Sequence, residues 1–188
     1  KNHLDTLTNY DYIIHTRSDQ YYVDFLPEPK EDTIFIPEGE DYFGICDRFI
    51  LFHSKYAKRY FSLCEFVNSA ISLNKVPKVV SPESVLLSHL ENESILKNVE
   101  RINRINFTVS KKGEETRWRV AKYRLYFKKL MIKYPDEFLL SVKNLSRKYG
   151  TIKLFMKYFV IFGNYLYLNL RKTLGSLKRK LKFKNEIN

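Results

Sequence analysis

Strand-like and helix-like periodicities alternate along the first 110 residues of this chain, and that alternation restricts it to an α/β architecture. Residues 11–15 (DYIIH) and 33–37 (TIFIP) are short β-branched and aromatic runs; the polar stretch Thr16 to Gln20 follows the first, and proline stops the second. A loop rich in proline and acid, FLPEPKED, lies between them. Residues 45–53 (ICDRFILFH) alternate poorly and fit either a third strand or a helix start. Ser54 then offers an N-cap for a helix through about Ser72, because Tyr56, Tyr60, Leu63, Cys64, Val67 and Ile71 recur at intervals of three and four. Ser81 followed by Pro82 repeats the logic and opens the helix PESVLLSHLEN. A further strand, INFTV at 105–109, ends at the turn Lys111 to Gly113.

Beyond that turn the pattern reads as helical. In Thr116 to Tyr134, the positions Val120, Tyr123, Phe127, Leu130, Met131 and Tyr134 form one stripe, with most Lys and Arg off it. Pro135 ends this helix, another runs from Asp136 to Gly150, and a last one begins near Thr151 and frays into the tail LKRKLKFKNEIN. Charge divides the chain at the same place. Residues 1–110 hold 12 Lys and Arg against 16 Asp and Glu, a net −4, whereas residues 111–188 hold 21 against 5, a net +16. This predicts an acidic, site-bearing portion at 1–110 and a basic amphipathic helical extension at 111–188 that meets a polyanion or an anionic membrane.

Composition narrows the class. With 188 residues, 44% of them hydrophobic, the chain has enough apolar material for a core and is not disordered throughout. Only 6 Gly, 6 Pro and 2 Cys exclude collagen-like, low-complexity and disulfide-stapled chains. Cys46 and Cys64 each lie in an apolar stretch and are expected as buried thiols, which makes a reducing, cytoplasmic setting the default. No stretch approaches the ~18 apolar residues of a spanning helix. Tyr158 to Leu170 has 13 uncharged residues flanked by Lys157 and Arg171, a length suited to lying on a bilayer.

The segment most suggestive of chemistry is Tyr10 to Tyr22, YDYIIHTRSDQYY. Alternation along a strand puts His15, Arg17 and Asp19 on one face at its C-terminal end, where open α/β sheets bind ligands. Arginine presents a fork of donors to phosphate oxygens, and aspartate offers hard oxygen to a divalent cation or to ribose hydroxyls. Taken alone, the same two residues are equally explained as an exposed pair contributing under ~1 kcal/mol.

The order of the surrounding motifs resembles the glycosyltransferases that build capsular and lipopolysaccharide sugars. In that family a hydrophobic strand leads into Arg-x-Asp, here Arg17 and Asp19, in the place of the Asp-x-Asp motif of the GT-A fold. A strand ending in proline follows (DTIFIP), then a Gly-x-x-Asp-x-Phe element (Gly44 to Phe49), then a Pro-Glu that opens a helix (Pro82 and Glu83). The resemblance covers residues 8–110 and implies a partial GT-A-like mixed sheet with flanking helices. It implies that Arg17 and Asp19 face a nucleotide-sugar diphosphate, with His15 beside them. It also implies that Asp47 is the acceptor-side carboxylate and candidate base, and Glu83 a second acid at the pocket edge. A divalent cation, Mn or Mg, is implied at Asp19, while Arg17 replaces one carboxylate ligand and itself supplies positive charge. The nucleotide-binding strand and helix of the family should precede Arg-x-Asp, where only about ten residues stand, so the chain is expected to be a C-terminal, acceptor-side half. HTRSD is also similar, one residue shorter and with a single Arg, to the His-x-Arg-Arg-x-Asp motif of fucosyltransferases.

The resemblance thus implies transfer of a sugar from a nucleotide-sugar donor to a surface polysaccharide or glycolipid acceptor. The four histidines, His3, His15, His53 and His89, show no zinc-like spacing, and no Gly-rich phosphate loop or kinase signature is present. The competing class is a non-enzymatic basic module binding RNA or an anionic membrane. Phe155, Phe159, Phe162, Tyr165 and Tyr167, with Lys153, Lys157, Arg171, Lys172 and the KRKLKFK tail, suit a lipid interface and make residues 151–184 the expected peripheral membrane contact; the same run fits equally the solvated face of an ordinary helical core, with nucleic acid the weaker alternative.

Overall fold

A computed structural model describes residues 4–7, 9–77, 79–111, 125–127 and 130–151, together with 163, 166–167, 170–171 and 173–176. The first half carries α1 (Leu4–Leu7), β1 (Tyr12–Thr16), β2 (Gln20–Tyr22), β3 (Ile34–Pro37), β4 (Phe49–His53), α2 (Ala57–Tyr60), α3 (Leu63–Val67), α4 (Ala70–Lys75) and α5 (Pro82–Asn92). After these come β5 (Val99–Ile102), β6 (Asn106–Lys111), β7 (Leu125–Phe127), β8 (Leu130–Ile132) and α6 (Pro135–Tyr149). The chain is therefore mixed α/β, with a mixed sheet and flanking helices. It divides into two units: residues 1–20 with 25–104, and residues 21–24 with 105–188.

In the first unit the strands lie in the order β1-β4-β3-β5. β1 and β3 run antiparallel to β4, with Ile13 opposite Phe52 and His15 opposite Ile50, while β5 runs parallel to β3. Every residue of β3 is buried, as expected of a central strand covered on both faces. Ile13, Ile34, Ile36, Ile50 and Phe52 pack with Tyr56 and Tyr60 and with Leu86 and Leu90 of α5 into one core. At roughly 25 cal/mol per Å² of apolar area removed from water, side chains of this size contribute about 1.5–3 kcal/mol each.

α5 starts where local chemistry dictates. Ser81 Oγ accepts from the Ser84 amide at 3.1 Å, Ser84 Oγ accepts from the Ser81 amide at 2.9 Å, and Pro82 occupies the first helical position, which needs no amide donor. The helix expected from Ser54 to Ser72 is instead broken into a 3-10 turn at Ser54–Tyr56 and the short pieces α2, α3 and α4, with His53 rather than Ser54 as its cap. Two serines sit at the interruptions. Ser62 Oγ donates to the Arg59 carbonyl at 2.8 Å and Ser69 Oγ to the Phe66 carbonyl at 2.6 Å, offering the backbone an alternative to the helical ladder. The register changes with them: Phe66 is buried, while Cys64, Val67 and Ile71 of the expected stripe are exposed. Cys64 is thus a surface thiol, and only Cys46 is buried.

The second unit is a sheet in the order β2-β6-β8-β7 with α6 packed on β6. Its core joins Val23, Phe107, Val109 and Ile132 to Phe138, Val142 and Leu145 of α6. The buried Glu137 carboxylate accepts the Thr108 amide at 2.7 Å, and Ser141 Oγ donates to the Asn106 carbonyl at 2.8 Å. The strand expected at 105–109 belongs to this unit. The helix expected from Thr116 to Tyr134 is corrected by β7 and β8, which pair antiparallel with Phe127 opposite Leu130. β8 also pairs with β6, Val109 opposite Ile132, and buries Met131 and Ile132. A stretch whose apolar positions fit a helical stripe here satisfies the open edge of β6, so the tertiary partner overrides the local periodicity. Residues 112–124 and 128–129 lie outside the described residues, as do Lys153, Phe155, Lys157, Phe159, Phe162, Tyr165, Lys172 and the tail on which the membrane expectation rests. Tyr167 and Arg171 are described: Arg171 donates to the Tyr167 hydroxyl at 2.5 Å. Among the described residues no helix is long and apolar enough to cross a membrane.

Candidate functional site

A cavity of about 400 Å³ opens in the first unit, and four stretches of the chain meet on it. β1 contributes His15, the segment before β4 contributes Asp47, and α2 and the start of α5 contribute Tyr60 and Ser81. Most of the remaining wall is apolar, running from Leu63 of α3 to Val85 and Leu86 of α5. An apolar cleft with a few convergent polar groups is the usual form of a small-ligand site.

His15 is placed by strand alternation. It shares the face of Ile13, which enters the core, but lies near the end of β1, where its ring emerges beside Tyr60 and Phe61 at centroid distances of 5.6 and 6.1 Å. Its Nδ1 lies 2.7 Å from the Tyr60 hydroxyl. Tyr60 is held from behind by buried His89 of α5, whose Nε2–H donates to the carbonyls of Arg59 and Tyr60 at 2.9 and 3.2 Å. Burial pushes the Tyr60 phenol far above the usual phenol range, and the nearby negative charge of Asp47 adds to it. Tyr60 is therefore a neutral hydroxyl at any physiological pH.

Asp47 is half-buried and follows a segment fixed by main-chain contacts. The Ile45 amide donates to the Glu83 carbonyl at 3.1 Å, and the Cys46 amide donates to Asp41 Oδ1 at 3.0 Å. Gly44 packs so closely on the first turn of α5 that a Cβ built there would collide with the backbone of Glu83 and Ser84. The glycine of the Gly-x-x-Asp-x-Phe element and the Pro-Glu helix start are thus neighbours, and their contact sets the position of Asp47.

Of the residues expected to gather, His15 and Asp47 line the cavity, while Arg17, Asp19 and Glu83 are not part of its wall. β1 ends at Thr16, and a turn closed by the Gln20 amide on the Arg17 carbonyl folds Asp19 back onto Arg17. Arg17 Nε and Nη2 donate to the two Asp19 oxygens at 3.0 Å each, with the side chains 46% and 23% exposed. Glu83 is buried in the first turn of α5, where the helix dipole favours a carboxylate. Both Asp19 oxygens accept from Arg17, and among the described residues no group of three or more His, Cys, Asp or Glu is placed to hold a metal ion. Tyr60 and Ser81 belong to the wall but carry no sequence signal of it, one reading as a core position and the other as a helix cap.

Compared with family models, with curated proteins and with solved structures, the chain matches none.

Proposed function

We propose that this chain takes part in glycosyl transfer from a nucleotide-sugar donor to a glycan or glycolipid acceptor at the cavity of His15, Tyr60 and Asp47, with Asp47 on the acceptor side. One observation carries the reading: His15 of the strand that leads into Arg-x-Asp, Asp47 of the Gly-x-x-Asp-x-Phe element and Pro82 of the Pro-Glu helix start, parts of motifs that resemble those of glycosyltransferases by their order along the chain, line one cavity. In the proposed step the acceptor oxygen bonds to the anomeric carbon while the carbon–oxygen bond to the donor diphosphate breaks. The acceptor's proton passes to the Asp47 carboxylate, and the diphosphate leaves with the bonding electron pair. In this reading Arg17, two residues beyond His15, is the cation offered to the diphosphate, and Asp19, which accepts from its guanidinium, is its positioning partner. A GT-A identity for the first unit belongs to this same reading.

Two measurements test it. Nucleotide sugars should raise the melting temperature of the full chain, since a ligand selective for the folded state stabilises it. Asp47→Asn should lower transfer by about 10²–10⁴-fold, the usual contribution of a general base, while leaving that stabilisation in place. Stabilisation by RNA and by no nucleotide sugar would favour the basic binding module instead.

A further inference from the structure

The neighbourhood of Tyr60 decides which nitrogen of His15 carries the proton, and with it the division of labour in the cavity. The Tyr60 side chain is buried and its hydroxyl has one proton to place; its hydrogen-bond partner among the described residues is His15 Nδ1 at 2.7 Å. Asp47 acts on the phenol through its charge, with no hydrogen bond between them. A buried hydroxyl proton left without an acceptor is costly, so Tyr60 donates, and Nδ1 must then be the bare, accepting nitrogen. The proton of the neutral imidazole lies on Nε2.

We propose that Tyr60 locks neutral His15 as the Nε2–H tautomer, making His15 a fixed hydrogen-bond donor to a phosphate-type oxygen in this cavity and not its base. The remaining polar groups of the wall agree. Tyr60 is spent on His15, and Ser81 Oγ accepts the Ser84 amide while donating to the Tyr42 carbonyl at 2.7 Å. Among these four polar groups the Asp47 carboxylate is the one left to accept a proton. Tyr60 is accordingly a positioning residue. The identity of the oxygen, a donor diphosphate, rests on the sugar-transfer reading; the tautomer does not.

The test is nitrogen NMR of the full chain labelled at histidine, at a pH about two units above the ordinary imidazole value of ~6.5. The His15 signals are assigned by their loss in His15→Gln. The expected result is a bare-type resonance at Nδ1 and a protonated-type resonance at Nε2, collapsing to a mixture of tautomers in Tyr60→Phe. Inorganic pyrophosphate should then shift the Nε2 signal of His15 in the wild-type chain. An Nδ1–H tautomer or a mixture in the wild-type chain overturns the proposal even if Tyr60→Phe fails to fold, and an Nε2 signal indifferent to pyrophosphate overturns the donor role. A locked tautomer in a chain that transfers no sugar would leave the inference standing and sink the proposed reaction.

Discussion

The loop between β3 and β4 and the turn after β1 both set arginine against oxygen, but two of the three arginines at the loop are buried while the arginine of the turn meets water. In the loop, fully buried Arg104 donates through Nε to the Glu38 carbonyl at 2.8 Å and through Nη2 to the Gly39 carbonyl at 2.7 Å. Arg101 donates to the Pro37 carbonyl and to Asp41, and buried Arg48 pairs with Glu40 at 3.7 Å. These contacts hold a backbone that would not keep its shape alone, since Glu40, Tyr42 and Phe43 have φ of 58°, 35° and 69°. Left-handed non-glycine residues cost of order 1 kcal/mol or more each and persist where the surroundings over-determine them. In the turn, Arg17 and Asp19 satisfy each other at the surface, a pairing worth ~0–1 kcal/mol. The contrast separates roles: the buried arginines shape the approach to Asp47, whereas Arg17 adds little to the fold, and a ligand can compete for it.

The comparison breaks most readily at Arg104. Arg104→Ala removes a fully buried guanidinium and leaves the Glu38 and Gly39 carbonyls without their donor, so a loss of about 2 kcal/mol or more is expected in denaturant unfolding. A loss near that of Arg17→Ala would mean that the loop does not depend on its arginines. Gly44→Ala should rank next. The added methyl meets backbone of α5 rather than a side chain that could swing away, and overpacking of this kind costs about 1–3 kcal/mol. A neutral outcome at this position would break the link between Gly44 and the placement of Asp47.

Alkaline pH probes the same loop more gently. Burial, then the hydrogen bond to Glu40, raises the Tyr42 phenol to about 12. The folded state therefore holds this proton more tightly than the unfolded chain, whose phenols titrate near ~10. The corresponding stability is fully present below about pH 10 and is lost as the pH rises through about 12. Unfolding midpoints measured across that window should fall, and Tyr42→Phe should flatten part of the fall. An unchanged slope in Tyr42→Phe would show that other groups carry it.

How much of this was legible in the sequence depends on whether the signal was local. The start of α5 was, because Ser81 and Pro82 settle it between themselves, and so were β1, β3 and α6. The interruptions of the 54–72 helix were not, since a serine bonding back to the carbonyl three residues earlier leaves no mark on the apolar spacing. β8 was hidden because its strand character depends on β6, some twenty residues earlier. In the site, His15 and Asp47 were readable from alternation and motif. Strand alternation does not carry past Thr16, where the chain turns, so it does not fix the direction of Arg17 and Asp19. Tyr60 was missed because its ring counts as core while its hydroxyl serves the cavity.

The smallest expected effect is the one that sharpens the functional side of the comparison. A double-mutant cycle on Arg17→Ala and Asp19→Ala should give a stability coupling within about 1 kcal/mol, as for other exposed pairs. Diphosphate binding should respond in opposite directions at the two positions. Arg17→Ala removes the cation and weakens binding. Asp19→Asn removes the carboxylate that competes for the guanidinium, and the ~1 kcal/mol of pairing released limits the gain in affinity to about fivefold. Weaker binding in Asp19→Asn would instead make the carboxylate a necessary brace for Arg17, and binding equal to wild type in both Arg17→Ala and Asp19→Asn would remove the turn from the site altogether.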